Sequence, residues 1–195
     1  MAVLLNEAND DNSFDMESWG KYLNNEYQKT QNEGLRARSK ARVYEEGDSV
    51  SIMDSDIKRG TAFYQAQGMN KEKAQDMAVD YAEESETLYN KAIEEGYSVT
   101  EDEIEKYISG LREALASETI DAESKRQLLE VTGQFEKEKD YWDYQKQVYA
   151  KLLPVQKYVS FMEKKYFEDH PGASESEWME YFENYKKELV KKEFN

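Results

Sequence analysis

Residues that could carry out catalysis are scarce in this chain of 195 residues. Its one histidine, His170, is followed by a proline, and a single imidazole excludes the two-histidine zinc motif. A triad of nucleophile, histidine and acid would depend on that same residue. The lack of cysteine removes thiol nucleophiles, disulfides and zinc-thiolate sites, and it fits a reducing or an oxidising compartment equally well. We therefore predict no catalytic residues and no enzyme activity.

Metal and nucleotide motifs fail on their spacing. The segment Asp54-Ser55-Asp56 begins like a calcium loop, but Arg59 stands where the turn needs glycine and Gln65 where a bidentate glutamate belongs. The sequence has no glycine-rich loop of the kind that cradles phosphates. We expect no metal and no cofactor. Because 42 acidic residues form many carboxylate pairs by chance, an enzyme that uses surface carboxylates stays as the least favoured interpretation.

Charge and apolar content narrow the class of protein. Asp and Glu number 42 against 26 Lys and Arg, which gives a formal net charge of −16 at pH 7. Nucleic-acid affinity comes largely from Lys and Arg, so we predict no nucleic-acid partner, and anionic membranes are disfavoured for the same reason. High charge with sparse aliphatic residues is typical of disorder. However, 15 Tyr, 7 Met and 3 Trp recur at helical spacing, which favours a folded protein.

The apolar periodicity predicts an all-α, multi-helix fold. We expect helices over 14–41, 55–67, 70–95 and 121–133, a helix that begins at Thr100, a long helix over 136–169 and a last amphipathic helix that begins at Ser174, with an extended piece or hairpin over 43–52. Capping boxes are expected at Thr100 with Glu103 and at Ser174 with Glu177. Pro154 lies inside the long helix, so we expect a kink near 151–154.

Three parts of the chain are expected. Residues 1–13 are interpreted as a flexible leader, whose apolar run is too short for a signal peptide or a membrane span. Residues 14–169 form one helical domain, and the helix of 170–195 either docks on its own chain or swaps between two copies. A homodimer is thus possible.

The remaining candidates for function are aromatic and Met side chains, which suit contact with variable peptides. On the helix of 70–95, the seam Ala74, Ala78, Tyr81, Ser85, Leu88 and Ala92 is expected to pack closely on a neighbouring helix, as are Ile104, Ile108, Val148 and Leu152 on theirs. Five residues near helix ends fit a core role and a peptide-binding role equally well: Phe63, Tyr64, Met69, Tyr141 and Trp142.

The segment 50–158 resembles the N-terminal chaperone region of the SurA and PrsA type, which is similar to the peptide-binding arm of trigger factor. The resemblance is carried by Ile52-Met53-Asp54-Ser55-Asp56-Ile57, by Phe63-Tyr64-Gln65-Ala66-Gln67-Gly68 and by the block over 88–104. In that block Ala92, Gly96, Val99, Thr100, Glu103 and Ile104 match, one by one, the turn with which a long helix of the family ends. Tyr141-Trp142, followed by Tyr149, is similar to an aromatic pair ahead of the family's closing helix.

The resemblance implies an extracytoplasmic module, exported or lipid-anchored, whose signal is not in this sequence. The sequence lacks the parvulin isomerase domain of that family, so isomerase activity is not expected. We predict a holdase-like chaperone module, independent of ATP, that binds unfolded or extended apolar segments of exported proteins. The alternative is a non-catalytic helical interaction or scaffold protein. An exposed groove of apolar residues over 57–69 and 141–149 would favour the chaperone.

Overall fold

Apolar periodicity gives this chain its helical character. The computed structural model describes residues 14–33, 42–117 and 120–194, and 78% of these residues are helical. The prediction of an all-α fold is therefore confirmed. The expected leader over 1–13 lies outside the described residues, as does the expected end of the first helix within 34–41.

Within the described residues, seven helices and a short hairpin form the fold. The helices are α1 (Met16–Glu33), α2 (Asp54–Ala66), α3 (Lys71–Glu94), α4 (Glu101–Ala116), α5 (Ala122–Thr132), α6 (Glu138–Asp169) and α7 (Glu175–Glu193). The strands β1 (Val43–Glu46) and β2 (Ser51–Met53) pair antiparallel. The hairpin predicted over 43–52 is thus present.

Local capping chemistry sets the helix ends. The Thr100 amide donates to Glu103 Oε2 at 2.8 Å, and the Glu103 amide donates back to Thr100 Oγ1 at 3.3 Å. Ser174 and Glu177 form the same capping box at the start of α7. After α3, Gly96 has a φ of +86°, a left-handed conformation that favours glycine and ends the helix. These predicted boundaries are confirmed.

The main core lies where α2 packs on α3, with α1, α4, α5 and α6 around this pair. Small residues bring α2 and α3 together: a Cβ built on Gly60 would lie only 2.7 Å from the Cβ of Ala78. The expected close approach at Ala74 and Ala78 is confirmed, since both are fully buried. Tyr81 departs from the expected seam, because its side chain is 47% exposed and the neighbouring Ala82 takes the buried position.

A second, smaller core forms where α7 packs on α3 and α6. Leu88, Ala92 and Tyr158 are its buried members. The Tyr158 and Tyr185 hydroxyls share a hydrogen bond of 2.6 Å, and Lys186 on α7 pairs with Glu84 on α3 at 3.0 Å. In this structure the last helix therefore docks on its own chain.

The long helix α6 links the two cores. It continues through Pro154 over 32 residues, so the proline does not end the helix. The proline ring is fully buried, and its lack of an amide hydrogen removes one hydrogen bond within the helix. The kink expected near 151–154 stays a prediction.

Candidate functional site

Phe63 and Tyr64, two of the five candidate residues, lie in the main core. The Phe63 ring packs 5.2 Å from Phe14 and 5.3 Å, edge to face, from Trp19 on α1. Tyr64 packs edge to face on Phe63, and its burial raises the pKa of its hydroxyl. In the folded chain the Phe63 ring thus helps to hold α1 against α2.

Tyr141 and Trp142 lie in the first turn of α6, and both are buried. The Tyr141 ring packs 5.4 Å from Phe135 and 5.0 Å from Trp142, and burial raises the pKa of its hydroxyl. Met69, after α2, is half-buried against the same core. Packing in the main core thus covers side chains that the sequence leaves open to either role.

An exposed groove over 57–69 and 141–149 would favour the chaperone, but the apolar residues named from these segments are buried or half-buried in this structure. Trp19 of α1 packs on Phe63 and Phe135 packs on Tyr141, and Tyr64 is buried as well. A peptide would reach these rings only after part of the core opened. Peptide binding by Phe63, Tyr64, Met69 and Tyr141 stays a prediction, whereas Trp142 lines an open cleft.

That cleft lies between α4 and α5 and has a volume of about 810 Å³. Its lining combines apolar and charged residues: Ser109, Arg112, Glu113, Leu115, Ala116, Leu128, Leu129, Thr132, Gly133, Phe135, Glu138 and Trp142. Sites for small ligands commonly have volumes of about 300–1,000 Å³. The cleft is thus large enough for several side chains of a partner.

The cleft exists because its two walls pack on different parts of the protein. The wall formed by α4 packs on α6, where the Tyr107 and Tyr149 rings lie 4.7 Å apart. The wall formed by α5 packs on α1, and a Cβ built on Gly20 would lie 2.8 Å from the Val131 carbonyl oxygen. The two walls themselves make little contact. The cleft between α4 and α5 therefore results from the way the two helices pack on α6 and on α1.

Leucine side chains give the cleft its apolar surface. Leu115 on α4 and Leu128 on α5 are half-buried, and Leu129 is 60% exposed. Phe135 and Trp142 form the buried floor. Covering this surface with an apolar partner would remove it from water, which is the main favourable contribution to association.

Two charged side chains, Arg112 and Glu138, lie beside Trp142 at the floor of the cleft. The Trp142 indole N–H donates to Glu138 Oε1 at 2.8 Å. The Arg112 guanidinium lies 5.7 Å from the centre of the Trp142 ring and 3.6 Å from Glu138 Oε1. A cation over an aromatic face and beside a carboxylate is a favourable arrangement. The cleft therefore presents apolar and cation-binding features together.

A second and smaller pocket, of about 160 Å³, lies beside α1, α2 and α6. Glu26, Arg59 and Tyr144 contribute to its lining. The Arg59 guanidinium is already bound to Asp56 at 2.8 Å. The size of this pocket and the engaged arginine make it a weaker candidate than the α4–α5 cleft.

Clustered metal ligands and membrane-spanning helices are both absent from the part of the chain that the structure describes. There, no group of three or more His, Cys, Asp or Glu side chains is arranged to hold a metal ion. Among residues 14–33, 42–117 and 120–194, no helix combines the length and the apolar character that crossing a membrane requires.

Sequence reasoning missed most of the cleft. In the sequence, the cleft is indicated by two adjacent leucines, Leu128 and Leu129, on a short helix. They cannot both face α1, because neighbouring helical residues point about 100° apart. Arg112 gave no signal, since its approach to Trp142 joins two distant segments. Comparisons with known protein families, with curated proteins and with solved structures give no match for this chain.

Proposed function

We propose that this chain is a non-catalytic polypeptide-binding module of the holdase type, which takes apolar side chains of unfolded or extended segments into the cleft between α4 and α5. The observation that supports the proposal is the open, leucine-lined cleft with Phe135 and Trp142 at its floor. This apolar lining favours the binding of apolar side chains. It needs no nucleotide.

Binding at such a site would be weak and reversible. Each apolar side chain that becomes fully buried contributes about 1.5–3 kcal/mol. Association and the ordering of a flexible segment offset much of this gain. A few side chains in one cleft would therefore delay aggregation of a client without trapping it. The formal charge of −16 would help to keep the loaded complex in solution.

The proposed setting of this activity is outside the cytoplasm. The resemblance of residues 50–158 to the SurA and PrsA chaperone region supports an exported or lipid-anchored protein whose clients are exported proteins. The role proposed for these residues is to hold a client, without prolyl isomerisation. Trp142, in the aromatic pair that carries part of the resemblance, also lines the cleft.

Two exposed apolar residues provide a matched test. Leu129 in the cleft is 60% exposed, and Met179 on α7 is 56% exposed. Both can be changed to serine with little effect on stability, because surface substitutions are usually within about 0.5 kcal/mol. The assay follows the aggregation of a chemically unfolded test protein at stoichiometric amounts of this chain, without nucleotide.

The proposal expects the wild-type chain and Met179→Ser to suppress aggregation equally, and Leu129→Ser to lose most of this effect. Circular dichroism and urea unfolding would verify that both variants are folded. If the wild-type chain had no effect, or if Leu129→Ser were as active as Met179→Ser, the cleft would not be the holdase site.

A scaffold or homodimer is the second candidate. It is favoured by the exposed large apolar side chains of Phe161 on α6 and of Met179 and Tyr181 on α7. Exposed apolar side chains are common in association sites. Size-exclusion chromatography with light scattering would test it: a dimer that Met179→Ser dissociates favours this candidate, and a monomer at all concentrations excludes it.

A further inference from the structure

Arg112 lies over the ring of Trp142 in the α4–α5 cleft. Its guanidinium lies 5.7 Å from the centre of the Trp142 ring. It also lies 3.6 Å from Glu138 Oε1, which is longer than a hydrogen bond. Trp142 itself is only 7% exposed. Arg112 is thus part of what covers an aromatic face at the floor of an otherwise open cleft.

This contact is weakly held and therefore exchangeable. More than half of the Arg112 side chain and more than half of the Glu138 side chain are exposed. Exposed ion pairs contribute little, because water screens them and both side chains lose freedom when they pair. Glu138 stays near the ring without Arg112, since the Trp142 indole N–H donates to it at 2.8 Å. Displacing Arg112 would therefore leave a site already arranged for another cation.

The charges of the cleft favour a cationic occupant. Glu113 and Glu138 line the cleft along with Arg112, so carboxylates outnumber cations there. The whole chain has the same sign, with a formal net charge of −16. A lysine or arginine of the partner would balance this charge, whereas an acidic side chain would be repelled by both carboxylates.

We infer that the cleft selects polypeptide segments in which an arginine or lysine adjoins apolar residues, and that this cation displaces Arg112 from the Trp142 ring. The inference rests on the proposed function of the cleft. The leucines of α4 and α5 would cover the apolar neighbours, while Trp142 and Glu138 hold the cation. Arg112 then acts as an internal competitor that keeps the ring covered when the cleft is empty.

Two synthetic peptides would test this selectivity. They share one apolar sequence and differ at a single position, which is arginine in one and its neutral analogue citrulline in the other. Fluorescence anisotropy of labelled peptides gives the two dissociation constants at physiological salt, where the Debye length is about 8 Å. We expect the arginine peptide to bind about tenfold more tightly than the citrulline peptide.

Variants assign the selectivity to specific groups. Arg112→Gln should tighten binding of the arginine peptide severalfold and change the citrulline peptide little. Glu138→Gln should reduce the preference for arginine. Lys106→Gln is the control, because it removes one positive charge from an exposed position of α4 outside the cleft lining. It should change the dissociation constant of either peptide less than Arg112→Gln changes that of the arginine peptide.

The outcomes separate this inference from the proposed function. If both peptides bind equally and Leu129→Ser weakens both, the cleft binds polypeptides but the cation selectivity is wrong. If Lys106→Gln has the same effect as Arg112→Gln, long-range charge accounts for the preference and the displacement is wrong. If neither peptide binds, the proposed function fails, and the inference fails with it.

Discussion

The carboxylate of Glu193, at the end of α7, accepts a 2.8 Å hydrogen bond from the hydroxyl of Ser49 in the turn between β1 and β2. It also accepts a bond from the Val50 amide at 2.6 Å, and the Glu193 carbonyl oxygen accepts one from Asp48 at 2.9 Å. On the other side, Asn90 of α3 donates to Ser49 Oγ at 3.1 Å. The last helix is thus held by hydrogen bonds to the hairpin turn as well as by packing in the second core.

This contact predicts a stability effect for Glu193→Ala. The substitution removes the acceptor of the Val50 amide and of the Ser49 hydroxyl. We expect the free energy of unfolding to fall by about 1 kcal/mol, because water replaces part of what is lost at this half-exposed place. Urea denaturation would measure it. Glu188→Ala, at an exposed position of the same helix, should leave the midpoint nearly unchanged.

The start of α4, one wall of the cleft, is predicted to respond to acid. The Lys157 ammonium, 2.6 Å from Glu103, is the main cause that lowers the pKa of this carboxyl, and the Thr100 amide adds to it, so the pKa falls to about 2. Because folding lowers this pKa from 4.5, the ionised carboxylate stabilises the fold fully above pH 4.5. This contribution decreases as the pH falls towards 2.

Urea unfolding at several pH values would check this dependence. Glu103→Gln should be less stable than wild type at pH 7, and the difference should shrink between pH 4.5 and 2. Glu101→Gln removes a charge from the same turn of α4 but keeps the Glu103–Lys157 pair, so its stability should still decrease between pH 4.5 and 2. A difference for Glu103→Gln that stays constant down to pH 2 would mean that the ion pair with Lys157 does not form in solution.

Glycine substitutions test the packing of α2 on α3. Gly60→Ala would place a methyl group 2.7 Å from the Cβ of Ala78, so the two helices would have to separate. We expect a loss of about 1–3 kcal/mol, as for other overpacked cores. Gly110→Ala on α4 meets nothing within 4 Å and should stabilise the protein by about 0.5–1 kcal/mol. Thermal unfolding of both variants would show opposite shifts, and shifts of the same sign would contradict this packing.

Features that depend on neighbouring residues could be predicted from the sequence. Thr100 with Glu103 and Ser174 with Glu177 cap their helices as expected, because a capping box needs only a hydroxyl and a carboxylate three positions apart. Gly96 ends its helix because a left-handed residue there costs little. Such local chemistry was sufficient to place most helix ends and the hairpin.

The buried face of each helix could not be predicted as well. Tyr81 is exposed while Ala82 is buried, because α2 approaches α3 so closely that only small residues fit between them. Phe63 is buried because Phe14 and Trp19 fold onto it from a segment more than 40 residues away. The cleft depends on which helices α4 and α5 pack against. These features depend on tertiary packing, which local periodicity does not predict.

The cleft as the polypeptide site is tested most directly by site-specific photocrosslinking, which is simple in a chain without cysteine. A benzophenone label is attached either to Ser109→Cys, which lines the cleft, or to Ser176→Cys, which is exposed on α7. Each labelled chain is irradiated with a permanently unfolded test polypeptide. We predict strong crosslinking from position 109 and little from position 176; equal crosslinking from both positions, or crosslinking from position 176 alone, would contradict the assignment of polypeptide binding to the α4–α5 cleft.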